Sequence, residues 1–153
     1  MKKWQRALGR LLVMLSFLSA ISLILYFNWE QTSKETLEGE KMPDIQGEAW
    51  NQTEIYWASD DGRAKLLYFF EPQCAQCLEQ LDLLNELHRK GAFEHVDFVA
   101  VTTEREDILH RLYNTHGWMI QTVIDDGVWQ ETFRPKQIPT LIVINKQGKI
   151  IRY

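Results

Sequence analysis

A single pair of cysteines, set two residues apart after an apolar run, constrains this chain more than any other feature. The segment Phe69–Leu81 reads FFEPQCAQCLEQL and contains both cysteines of the 153-residue chain, Cys74 and Cys77. The run Lys65–Phe70 before them is typical of a strand buried on both faces. The leucines after Cys77 recur at a spacing that holds one face of a helix, which ends near a glycine C-cap. The sequence therefore predicts a strand-to-helix junction with Cys74 where the helix begins.

The rest of the C-terminal part alternates between strand and helix patterns. Weak strand signals in Ile45–Trp57 precede the cysteines, and the predicted segments after them are strands Val96–Thr102 and Ile120–Ile124, helix Glu104–Thr115, and a hairpin of Thr140–Asn145 with Lys149–Tyr153. This alternation predicts an α/β fold, a mixed sheet with flanking helices. In such sheets reactive groups collect at the carboxyl ends of the strands, which is where Cys74 would lie.

Residues 1–29 are predicted to form a cytoplasmic basic tip and a transmembrane signal anchor. Four basic residues precede the uncharged run Leu11–Phe27, which is near the lower limit of about 17 residues for crossing a bilayer. Because the basic residues lie only on the N-terminal side, the rest of the chain is expected outside the cytoplasm. A cleavable signal peptide is the alternative, although no small-residue cleavage site follows the run.

A polar tether is predicted over residues 30–41, and one globular domain over residues 42–153. All 21 Asp and Glu residues lie at or beyond Glu30, so the domain is acidic. An acidic domain without a basic face argues against nucleic acid as a partner.

The position of the two cysteines favours redox chemistry. The positive end of the helix dipole would stabilise the thiolate of Cys74, and Cys77, one turn further in, would be close enough to form a disulfide and more shielded. An exposed attacking thiol beside a buried one is what thiol–disulfide exchange requires.

The two cysteines have three alternative uses. A zinc site needs further ligands, and His110 and His116 lie far beyond Cys77 along the chain. Two thiolates could instead bind a soft metal such as Cu(I). A purely structural disulfide is the third reading, but so short a loop constrains the unfolded chain little.

Two motifs together resemble a known fold. Cys74-Ala75-Gln76-Cys77 at a strand-to-helix junction, followed later by Gln137-Ile138-Pro139-Thr140 at the start of a strand, is similar to the thioredoxin fold. The predicted anchor, the tether and the lead-in Met42–Ile45 narrow the resemblance to the TlpA/ResA-like branch, which are membrane-anchored bacterial thioredoxins.

The resemblance implies a role for each motif residue. Cys74 would be the nucleophile and Cys77 would resolve the mixed disulfide, so that their disulfide is redox-active and no other cofactor or metal is needed. Pro139 would be a cis-proline facing the sulfurs. Ile138 would present its backbone to a substrate segment, and Gln73 would also line the substrate groove. Apart from the resemblance, Trp118 is expected to be a core or groove aromatic and is a further candidate for the groove.

Three departures from the family pattern are visible. Gln73 stands where the family usually has tryptophan, and Tyr68 stands where thioredoxins place a buried polar residue that moves protons. Glu71 and Glu79 are therefore candidates for acid–base catalysis. The C-terminal helix of the family is missing after the hairpin, so an apolar patch is expected on one face of the sheet.

The sequence thus predicts a membrane-anchored, extracytoplasmic thiol–disulfide oxidoreductase of the cell membrane. Its partners would be exported cysteine-containing proteins and a thiol-transferring membrane protein as reductant. The resemblance implies two alternative pathways, apocytochrome c maturation and general disulfide reduction. A copper-binding or partner-docking module without redox turnover is the alternative. The direction of electron flow is not encoded in an obvious motif, and we favour reduction of the substrate.

Overall fold

The computed structural model describes residues 16–24, 26 and 37–152. Residues 16–24 and 26 are helical, and the described residues from 37 onward belong to a separate compact unit. No helix within the described residues is both long and apolar enough to cross a bilayer. The predicted transmembrane helix is therefore not found there, and residues 11–15, 25 and 27 of its apolar run lie outside the described residues.

The compact unit is built from strands and helices in the order that the sequence predicts, with one addition. Its strands are β1 Ile45–Glu48, β2 Glu54–Trp57, β3 Ala64–Phe69, β4 Val96–Thr102, β5 Gln121–Ile124, β6 Thr140–Ile144 and β7 Ile150–Arg152. Its helices are α1 Ala75–Arg89, α2 Glu106–His116 and α3 Val128–Phe133. Strand β4 has the predicted bounds, and helix α3 was not predicted.

The strand that leads to the cysteines lies at the centre of a mixed five-stranded sheet. The strand order is β5-β4-β3-β6-β7. Strand β3 is parallel to β4 and antiparallel to β6, and β5 is parallel to β4. The carboxyl ends of β3, β4 and β5 therefore meet at one edge of the sheet, as the α/β prediction requires.

Each face of the central sheet is covered by a different layer. On one face, alternate residues of β3 and β4 pack against α1 and α2, in a core that includes Tyr68, Cys77, Leu81 and Leu109. On the other face, the β1–β2 hairpin and α3 cover the remaining alternate residues, with Trp57, Trp129 and Phe133 in the core. This alternation follows from the two-residue period of strand side chains.

Helix α3 depends on a buried carboxylate. Asp125 is 5% exposed and accepts hydrogen bonds from the backbone N–H groups of Gly127, Trp129 and Gln130. The indole N–H of Trp129 in turn donates to the backbone carbonyl of Gln46. The helix is thus held by one carboxylate nearby in sequence and by one contact 83 residues away, and the distant contact leaves no local pattern.

Both outermost strands of the sheet are partly paired by residues outside the sheet, one by the segment before β1 and the other by the residue after β1. Gly39 donates its N–H to the carbonyl of Ile150 in β7, while Ile150 donates to Glu40. At the opposite edge, Ala49 bridges Val123 in β5. The compact unit accordingly begins at Leu37, within the stretch predicted as tether and before the predicted domain start at Met42.

Apolar side chains are exposed on the α1 side of β6 and β7. Leu141 pairs with Tyr68 across the β3–β6 ladder, and it is 39% exposed. Ile151, next to Ile150 of the opposite core, is 55% exposed. The predicted apolar patch, for which the sequence named no particular face or strand, stays a prediction.

Candidate active site

Cys74 is the N-cap of helix α1. Its backbone is extended, with φ of −90° and ψ of 102°, and its Sγ accepts the backbone N–H of Cys77 at 3.2 Å. The first turn of α1 contains no acidic residue, so no carboxylate there offsets the positive end of the helix dipole. In the reduced protein this position favours the thiolate of Cys74 over the thiol.

The two cysteines form a disulfide and differ in access to solvent. Their Cα atoms are 5.2 Å apart. Cys77 is 0% exposed, whereas Cys74 is only partly buried. Cys74 is therefore the sulfur that a second protein can reach, and Cys77 is the sulfur held inside.

Pro139 lies next to β3, the strand that leads to the cysteines. The Ile138–Pro139 peptide bond is cis, as the resemblance implied. Because Thr140 pairs with Phe69 in the β3–β6 ladder, Pro139 lies beside the end of β3, where the chain turns toward Cys74. Ile138 is partly buried and packs against both core clusters. Their roles in facing the sulfurs and presenting backbone to a substrate stay predictions.

A buried phenol lies under the first turn of α1. Tyr68 is 1% exposed, and its hydroxyl donates a 2.9 Å hydrogen bond to the backbone carbonyl of Cys77. The same hydroxyl is 3.3 Å from Oε1 of Gln80. Burial raises the pKa of Tyr68 to about 12, so the phenol is neutral at physiological pH.

Gln73, which precedes the nucleophile, is tied to the loop after β4. Its side-chain amide donates a 2.7 Å hydrogen bond to Oε2 of Glu104. The pKa of Glu104 is below its ordinary value because the carboxylate accepts hydrogen bonds from the Arg105 backbone N–H and from Gln73. An exposed polar bridge thus stands at the position where the family usually has tryptophan.

The other predicted site residues are spread over different environments. Glu71 and Glu79 are exposed, and their acid–base role stays a prediction. Trp118 is 6% exposed and donates its indole N–H to Asp82 at 2.6 Å, while His116 stacks on its ring. Trp118 is thus a core residue. Its contribution to a substrate groove stays a prediction.

Metal ligands do not converge within the described parts of the chain. Over residues 16–24, 26 and 37–152, no group of three or more His, Cys, Asp or Glu side chains could hold a metal ion. His116 contacts Asp82 on α1. His110 lies near Asn114 and Trp50.

Sequence analysis missed two contacts of the site. The contact between Tyr68 and Cys77 carries a weak signal, since the spacing of a tyrosine in the apolar strand places it on the face toward α1. The bridge between Gln73 and Glu104 spans 31 residues and leaves no local signal.

Comparison with known proteins places this geometry in a family. A family model described as thioredoxin-like matches residues 62–150. The ResA thiol–disulfide oxidoreductases of Geobacillus thermodenitrificans and Geobacillus kaustophilus are each 25% identical to this chain, and each alignment covers 98% of this chain and 87% of the relative.

Solved structures show the same fold. A thiol:disulfide interchange protein of Chlorobium tepidum aligns with a TM-score of 0.66 at 19% identity, covering 74% of this chain and 83% of that one. The thioredoxin domain of a Bacteroides vulgatus thiol–disulfide oxidoreductase aligns with a TM-score of 0.64 at 19% identity, covering 75% and 86%. Because the family model spans more than half of its length, the chain belongs to the thioredoxin-like family, and it is a thiol–disulfide oxidoreductase similar to the ResA proteins.

Proposed function

We propose that this protein is anchored in the cell membrane and reduces disulfides of exported proteins outside the cytoplasm. The observation that supports the redox reaction is the difference in exposure between the two cysteines. Cys74 is accessible at a helix N-terminus, and Cys77 is fully buried. The basic tip and the uncharged run Leu11–Phe27 support the anchor and the outward orientation.

The reaction would proceed in two exchange steps. The thiolate of Cys74 attacks one sulfur of a substrate disulfide, so that a mixed disulfide forms and the other substrate sulfur leaves as a thiolate. The thiol of Cys77 then loses its proton and attacks Sγ of Cys74. The mixed disulfide breaks, and two electrons have passed from the enzyme to the substrate, which leaves as a dithiol. A membrane protein that transfers thiol electrons would reduce the Cys74–Cys77 disulfide again.

Apocytochrome c is the substrate that we propose first. Two cysteines near each other in an exported, unfolded chain form a disulfide in an oxidising compartment, and a reductant there must remove it before the thiols can react. The ResA relatives carry a thiol–disulfide oxidoreductase name, which supports the reaction class but not a particular substrate.

Insulin reduction by the full chain in detergent tests the reaction. Cys74→Ser should abolish turnover, and Cys77→Ser should trap the mixed disulfide, because the first step survives without the resolving sulfur. Unchanged turnover in Cys74→Ser contradicts the proposal. Tight Cu(I) binding by the reduced protein together with no exchange would instead support the copper-binding alternative.

The location needs a separate test in cells. A membrane-impermeant maleimide should label Cys74 in intact, reductant-treated bacteria. Labelling that occurs only after lysis would contradict the outward orientation and leave the exchange chemistry standing.

A further inference from the structure

The sulfur of Cys77 is fully buried, and in the resolving step it must meet Sγ of Cys74. The rate of such an internal attack depends on how well the two groups are held in the reacting geometry. The backbone carbonyl of Cys77 accepts the hydroxyl of Tyr68 at 2.9 Å. This bond joins the peptide of the resolving residue to the central strand β3.

The phenol is suited to hold this peptide but not to take a proton from it. Tyr68 is 1% exposed, and its pKa is raised to about 12 by burial. Its one proton is donated to the carbonyl of Cys77 at 2.9 Å, with Oε1 of Gln80 as a more distant second acceptor at 3.3 Å. At neutral pH it has no phenolate form that could accept the proton of the Cys77 thiol.

We infer that Tyr68 is a positioning residue for the resolving step, in which its neutral hydroxyl fixes the peptide of Cys77 while the thiol proton leaves to water. This inference rests on the dithiol exchange proposed above, and it adds which of the two exchange steps depends on Tyr68. Tyr68 would affect the attack by Cys77 and not the first attack by Cys74, whose sulfur lies at the helix N-terminus.

An aromatic disulfide, dithiobis(nitrobenzoate), separates the two steps. Attack by Cys74 releases the first coloured thiolate at a rate that rises with reagent concentration. Attack by Cys77 releases the second at a rate independent of concentration. Both can be followed by stopped flow with the reduced full chain in detergent.

Tyr68→Phe removes the hydroxyl and keeps the ring. The second release should slow about fivefold, the size expected when one buried hydrogen bond no longer holds the reacting group. The first release should be unchanged. The pH dependence of the second release should show one ionisation, that of Cys77, in both the parent protein and the variant.

Tyr113 supplies the matched control. It is partly buried against the same core cluster, where its hydroxyl donates to the backbone carbonyl of Ile120 and lies 2.8 Å from Oγ1 of Thr122. Its pKa is likewise raised to about 12 by burial. Tyr113→Phe should lower stability as Tyr68→Phe does, but it should leave the ratio of the two release rates unchanged.

The inference is overturned if Tyr68→Phe slows both steps equally or neither, or if Tyr113→Phe changes the ratio in the same way. A second ionisation in the profile of the parent protein, lost in Tyr68→Phe, would also overturn it, because the hydroxyl would then move the proton. The parent profile requires no variant and stands as a test even if Tyr68→Phe does not fold. Loss of both releases in Cys74→Ser is a separate requirement, and its failure would count against the proposed function alone.

Discussion

The side-chain amide of Gln73 donates a 2.7 Å hydrogen bond to the carboxylate of Glu104, which joins the loop before the nucleophile to the loop after β4. Glu104 also accepts the backbone N–H of Arg105. The residue beside Cys74 is therefore held by a charge-assisted bond that depends on the ionised form of a carboxyl group.

The first prediction concerns this bridge and pH. The pKa of Glu104 is lowered, first by the Arg105 backbone N–H and then by Gln73, so Gln73→Ala should raise it toward its ordinary value. As pH falls through the lowered pKa, the carboxyl group takes up a proton and the bridge should weaken. Carbon-13 NMR titration of the Glu104 carboxyl measures both effects. Gln76→Ala, at an exposed glutamine within the same motif, is the control and should not shift the titration.

Alkylation of the reduced protein gives the second prediction. Cys74 is partly exposed at the helix N-terminus and Cys77 is 0% exposed. Iodoacetamide at neutral pH should therefore modify Cys74 at least about tenfold faster than Cys77, because both thiolate character and access favour the outer sulfur. Peptide mass spectrometry after a short pulse measures the ratio. Equal modification of both cysteines in the folded protein would contradict the asymmetry on which the mechanism depends.

The third prediction concerns Asp125, the carboxylate just before α3 that accepts hydrogen bonds from its first backbone N–H groups. Asp125 accepts three backbone N–H groups while 5% exposed, so Asp125→Ala should lower the free energy of unfolding by about 1–2 kcal/mol. Its neighbour Asp126 is exposed and makes one long contact of 3.5 Å with the N–H of Val128. Asp126→Ala is the matched control. Urea unfolding should separate the two variants, and equal losses would show that Asp125 does not hold the helix.

The fourth prediction concerns a buried lysine at the opposite end of β3. The side chain of Lys65 is 1% exposed, and its Nζ lies 2.5 Å from Oδ1 of Asp61. Asp61→Asn should cost about 1–2 kcal/mol of unfolding free energy, since it leaves a buried ammonium with a weaker partner. Asp60→Asn, at the exposed neighbouring position, should cost less.

The pH dependence of this ion pair has a definite sign. Burial raises the pKa of Asp61, but hydrogen bonds from Lys65 and the Arg63 backbone N–H lower it by more, so the folded-state pKa lies below the ordinary value of 3.8. The stabilisation is then complete above pH 3.8 and is lost as pH falls through the lower folded-state pKa. The difference in stability between the parent protein and Asp61→Asn should shrink over that range. A difference that grows in acid would contradict the assignment.

Local patterns predict most of the fold because the main strands and helices are long, apolar and regularly spaced. The predicted bounds of strand Val96–Thr102 are correct at both ends. Helix α1 ends at Arg89, one residue before the predicted C-terminus at Lys90–Gly91. The cysteine pair and the cis bond before Pro139 were predicted from motifs, and the structure contains both.

The parts that sequence analysis missed depend on contacts between distant residues. Helix α3 is six residues long, too short for a clear period, and Trp129 is fixed by a bond to Gln46, 83 residues away. The hydroxyl of Tyr68 meets the carbonyl of Cys77 only after α1 packs on the sheet. Such contacts follow from tertiary packing, which a single sequence does not display.

The pairing of Gly39 with Ile150 and of Ala49 with Val123 has a consequence for the edges of the five-stranded sheet. An open sheet edge offers free backbone groups on which an extended chain can add as a further strand and then aggregate. Here both outer strands already have partners along part of their length. An extended chain therefore finds fewer free backbone groups along these two edges of the sheet, and edge-to-edge addition of a further strand is disfavoured there.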